Sequence, residues 1–218
     1  MGMTTLASFS SSTFPLQSIV EGRLRYHQNS MRVIAGTYRS RPLAAPKGLD
    51  TRPTSDRLRE TLFNVLAPRI EDAVFVDLYA GSGAVGIEAL SRGAREAIFV
   101  ENAEPALKAI RQNLASLGIK GGYAIEQRSV HAALKRLAAA GRTTDIVFLD
   151  PPYAGASEYE NTLSLLGNEC ASLLAPNGIV IAEHIKKFEL LDDYGELHRY
   201  RQLKQGDAAL SFFHVPSK

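Results

Sequence analysis

The chain alternates between two hydrophobic periods over most of its length. Short apolar runs rich in β-forming residues are each followed by a segment whose apolar residues recur at helical spacing. Strands are predicted at residues 73–78, 97–100, 123–127, 145–149 and 178–183. Helices are predicted at residues 54–67, 84–92, 105–117, 131–140 and 158–174. This β/α alternation predicts an α/β fold with a doubly wound, mainly parallel sheet.

The last part of the chain has a different pattern. Residues 197–204 and 208–215 alternate apolar and polar positions on either side of a Gln-Gly-Asp turn, which predicts a β-hairpin. Together with the five parallel strands, the hairpin gives a Rossmann-like sheet of seven strands with an antiparallel strand near one edge.

Three regions are expected within the 218 residues, a length that suits one α/β domain. Residues 1–30 are Ser/Thr-rich and hold no apolar stretch long enough for a signal sequence or a membrane span, so we expect a disordered extension. A start codon assigned too early is the favoured explanation, and an acid-poor transit peptide is the alternative. Residues 31–51 predict a small basic β-hairpin arm, and residues 52–218 form the α/β domain.

The charge is unevenly distributed, although the net charge is only +2. Between residues 31 and 60, seven Lys and Arg residues face three acidic ones. Such a segment suits a polyanion, because each cation that replaces a phosphate counterion contributes to binding, but a solvated arm without a partner fits the charge equally well. The single cysteine, Cys170, and the absence of a Cys/His cluster predict a reducing, cytoplasmic location and no structural metal.

A glycine-rich stretch follows the first predicted strand. It runs from Asp77 to Gly86 with the pattern GxGxxG, and Glu101 comes twenty positions after Gly81. Such glycines let the backbone approach a nucleotide cofactor, and an acid after the second strand can accept hydrogen bonds from a ribose, so NAD and S-adenosylmethionine both fit. Asp77 favours S-adenosylmethionine, because its carboxylate would repel a pyrophosphate and attract a methionyl ammonium group. A tight strand-to-helix turn without a ligand remains the structural alternative.

A second motif, Asp150-Pro151-Pro152-Tyr153, follows the fourth predicted strand, where ligands bind in such folds. An exocyclic amine of a nucleic-acid base is a poor nucleophile, because its lone pair is conjugated into the ring. Asp150 and the carbonyl of Pro151 can accept the hydrogens of that amine, while the prolines stiffen the turn and Tyr153 offers a face for base stacking. A proline-terminated strand with a partly buried tyrosine is the structural alternative.

These motifs resemble those of the amino-methyltransferases with a (D/N)PP(Y/F/W) signature. Within that group, the chain resembles the bacterial family that methylates N2 of one guanine in 16S ribosomal RNA, over residues 31 to about 215. The most specific similarity is the segment 52–64, RPTSDRLRETLFN, and residues 77–93 and 148–153 are also similar. The resemblance implies a class I methyltransferase fold with S-adenosylmethionine as its cofactor.

The resemblance also implies a role for each site residue. The groups that would cradle the methionyl part of the cofactor are Asp77, Ala80, Gly81, Ser82 and Gly83. Glu101 would hold the ribose, Asn102 would lie beside the adenine, and Arg52 and Thr54 would close the pocket. Residues 150–153 would hold the guanine amino group. Where the family usually has an acid near the adenine, this chain has Arg128, Ser129 and Val130, and the Ser129 hydroxyl could still accept a hydrogen bond from the adenine amino group.

The expected partner is 16S ribosomal RNA within a small-subunit particle, with no membrane and no metal. In the basic arm, Arg39 and Arg41 are candidates for phosphate contacts. An amino-methyltransferase acting on DNA adenine-N6 or cytosine-N4 is the first alternative, but no separate domain for reading duplex sequence is evident. A nicotinamide-binding oxidoreductase or a non-catalytic Rossmann module is the second, and Asp77 and the Asp-Pro-Pro-Tyr turn argue against both.

Overall fold

The computed structural model describes residue 1 and residues 31–46, 55–152 and 156–216. The helices are α1 (Asp56–Leu66), α2 (Ala84–Ser91), α3 (Glu104–Leu117), α4 (Val130–Ala139) and α5 (Ala156–Gly167). The strands are β1 (Val74–Leu78), β2 (Glu96–Glu101), β3 (Tyr123–Gln127), β4 (Thr144–Leu149), β5 (Leu174–Ile185), β6 (Asp193–Tyr194), β7 (Leu197–Gln205) and β8 (Ala208–His214). The extension predicted at residues 1–30 and the end of the predicted arm, residues 47–51, lie outside this description apart from residue 1.

The strands form one sheet in the order β3-β2-β1-β4-β5-β8-β7-β6. The first five are parallel, and β8 pairs antiparallel with both β5 and β7. The chain winds outward from β1 to β3 and then returns to the other side of β1 as β4, so the switch point lies between β1 and β4. The doubly wound fold is confirmed, and the seven expected strands are joined at the edge by the two-residue β6.

The sheet is covered on both faces because its central strands are apolar on both sides. In β1, Val74, Val76 and Leu78 pack into a cluster with α4 and α5. Phe75 points to the other face and packs with α1 and α2. Asp77 shares the face of Phe75, since side chains alternate along a strand, and this brings its carboxyl to the start of α2.

Residues 31–46 lie against α2 and α3. A single antiparallel bridge joins Arg32 to Pro42, which has no N–H for further pairing, so the segment is a narrow hairpin loop with no named strand. The fully buried carboxylate of Glu88 accepts the main-chain N–H groups of Ile34 (2.7 Å) and Ala35 (3.0 Å). The predicted arm is therefore packed against α2 through a buried carboxylate.

One glycine and one buried amide hold this segment in place. At Gly36, with φ +81°, a Cβ would lie 1.8 Å from the main-chain oxygen of Ser91, so only glycine fits. The side chain of Asn113 in α3 accepts the N–H of Ala44 (2.7 Å) and donates to the carbonyls of Ala44 (3.0 Å) and Ser82 (2.9 Å). The hairpin loop is thus connected to the glycine-rich loop through one side chain.

The helix predicted at residues 158–174 is wrong in its extent. It ends at Gly167, where a Cβ would lie 1.6 Å from the main-chain oxygen of Tyr194 and where the carbonyl accepts the N–H of Glu196 (2.7 Å). A 3-10 turn, Ala171–Leu173, follows, and β5 already begins at Leu174. Within the described ranges, no helix has the length and apolar character needed to cross a bilayer.

Candidate active site

Three acidic residues meet at the carboxyl ends of β2, β1 and β4. Leu78 in β1 is in register with Val100 in β2 and with Leu149 in β4. Glu101 and Asp150 follow these partners directly, and Asp77 precedes Leu78. The fold therefore brings the predicted ribose-binding acid, the glycine-rich loop and the Asp-Pro-Pro turn to one edge of the sheet, at the switch point where ligands bind in α/β folds.

The Asp77 carboxyl is buried, with 2% of the residue exposed. Its Oδ2 accepts the main-chain N–H of Gly86 at 2.9 Å, and Gly86 is the third residue of α2. The pyrophosphate of NAD would bind to main-chain N–H groups at the start of α2. Asp77 already accepts one of these hydrogen bonds, which argues against NAD. Burial raises the pKa of Asp77 to about 8, the Gly86 hydrogen bond opposes this shift, and the charges of Asp150 and Glu101 add to it.

The loop after β1 is held by main-chain hydrogen bonds. The N–H of Ala80 donates to the carbonyl of Val100 (3.0 Å), and that of Gly83 donates to the carbonyl of Ala80 (2.7 Å). Gly81 and Gly83 have φ of +55° and +76°, which glycine adopts readily. Gly86 allows α2 to approach β2, because a Cβ there would lie 2.4 Å from the ring of Phe99.

Tyr79 also has a left-handed conformation, with φ +60°, which is strained for a residue with a side chain. Its hydroxyl donates to Glu158 Oε2 at 2.8 Å and lies 3.0 Å from Thr162 Oγ1, both in α5. These contacts join the glycine-rich loop to the helix that begins after the Asp-Pro-Pro-Tyr turn. The sequence analysis assigned no such role to Tyr79, because nothing in its local pattern identifies partners eighty residues away.

Main-chain N–H groups already fill most of the hydrogen-bond acceptor positions of the Glu101 carboxylate. Oε1 accepts the N–H groups of Asn102 and Ala103, both at 2.8 Å, and Oε2 accepts that of Gly81 at 2.9 Å. A carboxylate offers about four acceptor positions, so roughly one remains for a ribose hydroxyl. The side chain is half-buried and faces a cavity, which suits this role.

That cavity has a volume of about 860 Å³, and Glu101, one of the three acidic residues, lines it. Its lining includes five predicted site residues, namely Glu101, Asn102, Ser129, Val130 and Pro152. It also includes a polar strip of α5 that the sequence analysis missed, namely Glu158, Asn161 and Thr162. The helical spacing of these three residues could have predicted a polar face on this helix. Asp77 and residues 80–83 do not line the cavity, and they form the loop next to it.

Ser129 caps α4, and its Oγ accepts the N–H of Ala132 at 3.4 Å. The hydroxyl is exposed to the cavity and has a second acceptor position for an adenine amino group. The acidic side chain nearest in the chain, Glu126, forms ion pairs with Arg128 (2.9 Å) and Arg136. It is therefore not free to replace the acid that the family usually has at this position.

At the end of β4, Asp150 is half-buried, Pro151 is buried and Pro152 is exposed. After the larger effect of burial, the Asp150 charge raises the pKa values of Asp77 and Tyr159. The Tyr159 hydroxyl donates to the carbonyl of Glu183 (2.8 Å), and its ring centroid lies 5.3 Å from that of Phe188. Neither aromatic residue was predicted for the site, because Phe188 is distant from the motif along the chain and its contact with Tyr159 forms only on folding.

A family model described as conserved hypothetical protein 95 matches residues 31–214. The chain belongs to this family. A family relative from Escherichia coli, named ribosomal RNA small subunit methyltransferase D, is 43% identical over 70% of this chain and 74% of its own length. A Bacillus subtilis protein, YlbH, provisionally named an rRNA methyltransferase, is 35% identical over 84% of this chain and 98% of its own length.

A solved Escherichia coli structure, provisionally named the methyltransferase yhhF, superposes on the chain with a TM-score of 0.72. It is 34% identical and covers 84% of this chain and 97% of that one. The Rossmann-like class I methyltransferase fold is thereby confirmed, as is the family resemblance.

Not every predicted site residue of this family member lies near the cavity. Arg41 Nη2 donates to the carbonyl of Ser116 (2.9 Å) in the last turn of α3. That helix has 14 residues and is about 21 Å long, and it begins at the carboxyl end of β2. Arg39 lies beside Gly36, whose neighbour Thr37 donates to Ser91 at the end of α2. Both arginines therefore lie toward the amino-terminal ends of the parallel strands, away from the cavity. Their RNA contacts stay a prediction.

Three further predicted residues, Arg52, Thr54 and Tyr153, lie outside the described residues. Their roles over the cofactor and the base also stay predictions. Within the described ranges, no group of three or more His, Cys, Asp or Glu side chains has the geometry to hold a metal ion.

Proposed function

We propose that the protein is an rRNA methyltransferase that transfers the methyl group of S-adenosylmethionine to the exocyclic N2 amino group of a guanine in 16S ribosomal RNA. The observation that carries the proposal is the convergence of Asp77, Glu101 and the Asp150-Pro151-Pro152 turn at the β1/β4 switch point. The names of its relatives from Escherichia coli and Bacillus subtilis support rRNA as the substrate class.

The residues at this edge fit S-adenosylmethionine better than a dinucleotide. The cofactor carries a sulfonium and an ammonium group, and three carboxyl groups lie at the edge where it would bind. Glu101 would hold the ribose, while Asn102, Ser129 and Val130 would contact the adenine. The loop 80–83 would lie along the methionyl part, and Arg52 and Thr54 would close the pocket. When bound, the cofactor supplies an electrophilic methyl group on sulfur.

The Asp-Pro-Pro turn supplies acceptors for the reacting amine. Asp150 and the carbonyl of Pro151 would each accept one N–H of the guanine amino group, and this favours a tetrahedral nitrogen with a free lone pair. The nitrogen would take the methyl group from sulfur, which would leave as the neutral thioether, and the surplus proton would then pass to the Asp150 carboxylate or to water. No histidine base is needed. Tyr153 would stack on the base.

A methyl-transfer assay tests the proposal. Small ribosomal subunits lacking the modification, and naked 16S RNA, are incubated with tritium-labelled S-adenosylmethionine, and the labelled nucleosides are separated. Labelled N2-methylguanosine is the expected product, and the better substrate of the two identifies the particle or the free RNA as the partner. DNA is incubated in the same way as a control. If the RNA stays unlabelled and adenine or cytosine in the DNA is labelled, the DNA amino-methyltransferase alternative is supported instead.

A further inference from the structure

The sheet edge beside Asp150 carries three lysines with no ion pair to a described residue. Lys186 and Lys187 follow β5, and Lys204 lies near the end of β7. All three are exposed. The β5–β8 and β7–β8 registers bring Ile185 and Gln205 to the same residue, Ala208, so the lysines share one end of the sheet. We refer to Lys186, Lys187 and Lys204 as the lysine face.

Nearby charges leave this face positive. Arg199 lines the same shallow cavity of about 130 Å³ as Lys186 and Lys204, but its Nε is paired with Asp192 at 2.9 Å. Glu189 also lines the cavity, and Asp207 lies in the β7–β8 turn, with its main-chain carbonyl accepting the N–H of Lys186. The lysine face thus has three ammonium groups near the carboxylates of Glu189 and Asp207, and no ion pair joins them among the described residues.

Aromatic rings connect the lysine face to the catalytic turn. Phe188, between Lys187 and Glu189, is half-buried and packs on Tyr159 with ring centroids 5.3 Å apart. Asp150 follows Leu149, which pairs with Ala182 in β5, and Lys186 and Lys187 come directly after the end of that strand. The face therefore lies just beyond the end of β4, which carries the carboxylate proposed to hold the reacting amine.

We propose that the lysine face and Phe188 form the docking surface for the RNA strand that flanks the target guanine, an inference that rests on the proposed function. A base that reaches Asp150 must leave its stack, so the phosphates on either side of it pass over the neighbouring surface. Unpaired ammonium groups bind such phosphates by releasing counterions, and a half-buried aromatic ring can stack on a neighbouring unpaired base through its accessible part. The basic arm with Arg39 and Arg41 is directed away from this path.

The test compares two triple variants that each remove three exposed cations. One is Lys186→Ala/Lys187→Ala/Lys204→Ala, and the matched control is Arg95→Ala/Lys108→Ala/Lys120→Ala, on and beside α3. Binding of naked 16S RNA is measured with S-adenosylhomocysteine present, across a salt series. The lysine-face variant should bind at least about tenfold more weakly at 0.1 M salt, with a log–log salt slope smaller by about 2, whereas the control should match the wild type.

Further measurements separate docking from folding and from chemistry. The lysine-face variant should keep its affinity for S-adenosylhomocysteine, and its KM for RNA should rise while kcat stays within about twofold. Phe188→Ala should weaken RNA binding about fivefold or more with the salt slope unchanged. Equal losses in both triple variants, or a loss confined to Arg39→Ala/Arg41→Ala, would overturn the proposal.

The measurements distinguish a failure of the docking surface from a failure of the proposed reaction. If the wild type methylates no RNA but the lysine-face variant alone loses RNA binding, the docking surface stands and the assigned reaction fails. If the wild type forms N2-methylguanosine and the lysine-face variant has unchanged RNA affinity and KM, the docking surface fails and the reaction stands.

Discussion

The two halves of the candidate site hold their polar groups in different ways. At the ends of β1 and β2, Asp77 and Glu101 accept main-chain N–H groups, and Asp77 is buried. At the ends of β4 and β5, Asp150 is half-buried and the lysine face is exposed. The first half suits a small cofactor of constant shape, because its donors and acceptors are already oriented. The second half suits a large substrate that enters from solvent.

This difference implies that cofactor binding and methyl transfer can be lost separately. Substitutions at the end of β4 should reduce turnover and leave S-adenosylhomocysteine bound. Substitutions in and around the β1 loop should act first on the cofactor and on stability.

The largest effect is expected for Asp150→Ala. Loss of the acceptor for the reacting amine should lower kcat about 10²- to 10³-fold, with the dissociation constant of S-adenosylhomocysteine nearly unchanged. Single-turnover methyl transfer and isothermal titration calorimetry measure the two quantities. Asp150→Asn is the matched control, because its amide oxygen retains one acceptor, and it should keep much more activity than the alanine variant. Equal losses of affinity and turnover in Asp150→Ala would contradict the assigned role.

The next effect is expected for Asp77→Ala. The substitution removes the carboxyl group beside the proposed methionyl position, which would be ionised once the cofactor's ammonium group is bound, and it leaves the Gly86 N–H without its acceptor. We expect the affinity for S-adenosylhomocysteine to fall about 10- to 100-fold, the size of a lost charged hydrogen bond. Glu104→Ala, at an exposed acid one residue before Pro105, controls for the general loss of charge. Unchanged affinity in Asp77→Ala would mean that the loop does not bind the methionyl part.

Asp77→Asn should instead stabilise the protein without cofactor. The folded pKa is raised to about 8, so the unfolded chain ionises from about pH 4 upward while the folded chain keeps its proton. Wild-type stability therefore falls as pH rises from about 4 to 8, and the asparagine variant escapes this loss. The gain should be near zero at pH 4 and at least about 1 kcal/mol above pH 8, or about 2–4 °C in Tm.

Thermal unfolding across this pH range measures the gain. Asp145→Asn is the control, since that carboxylate also accepts a main-chain N–H, from Val74 at 2.8 Å, but is half-exposed. A stability difference for Asp77→Asn that is constant from pH 4 to 9 would refute the raised pKa.

Local patterns predicted most of the fold and which motifs the fold brings together at the switch point. The period of the apolar residues identified the strands, and their order brought Glu101 and Asp150 to one edge. Patterns within a few residues could not identify contacts between distant segments. α5 ends at Gly167 because the main chain of Tyr194 packs against it. Residues 31–46 are held by Glu88 and Asn113, and Phe188 contacts Tyr159 only in the folded chain.

The smallest effect is expected for Tyr79→Phe, which tests how the two halves are connected. The variant keeps the ring and loses the hydroxyl that contacts Glu158 and Thr162 across the cavity. Because about one net hydrogen bond is lost, the affinity for S-adenosylhomocysteine should fall only about 3- to 10-fold and the stability by about 1 kcal/mol. Tyr123→Phe, at a half-buried tyrosine in β3, is the matched control and should change neither. If Tyr79→Phe lowers stability but not cofactor affinity, the hydroxyl contributes only to the fold. The strained loop would then bind the cofactor without needing its contact with α5.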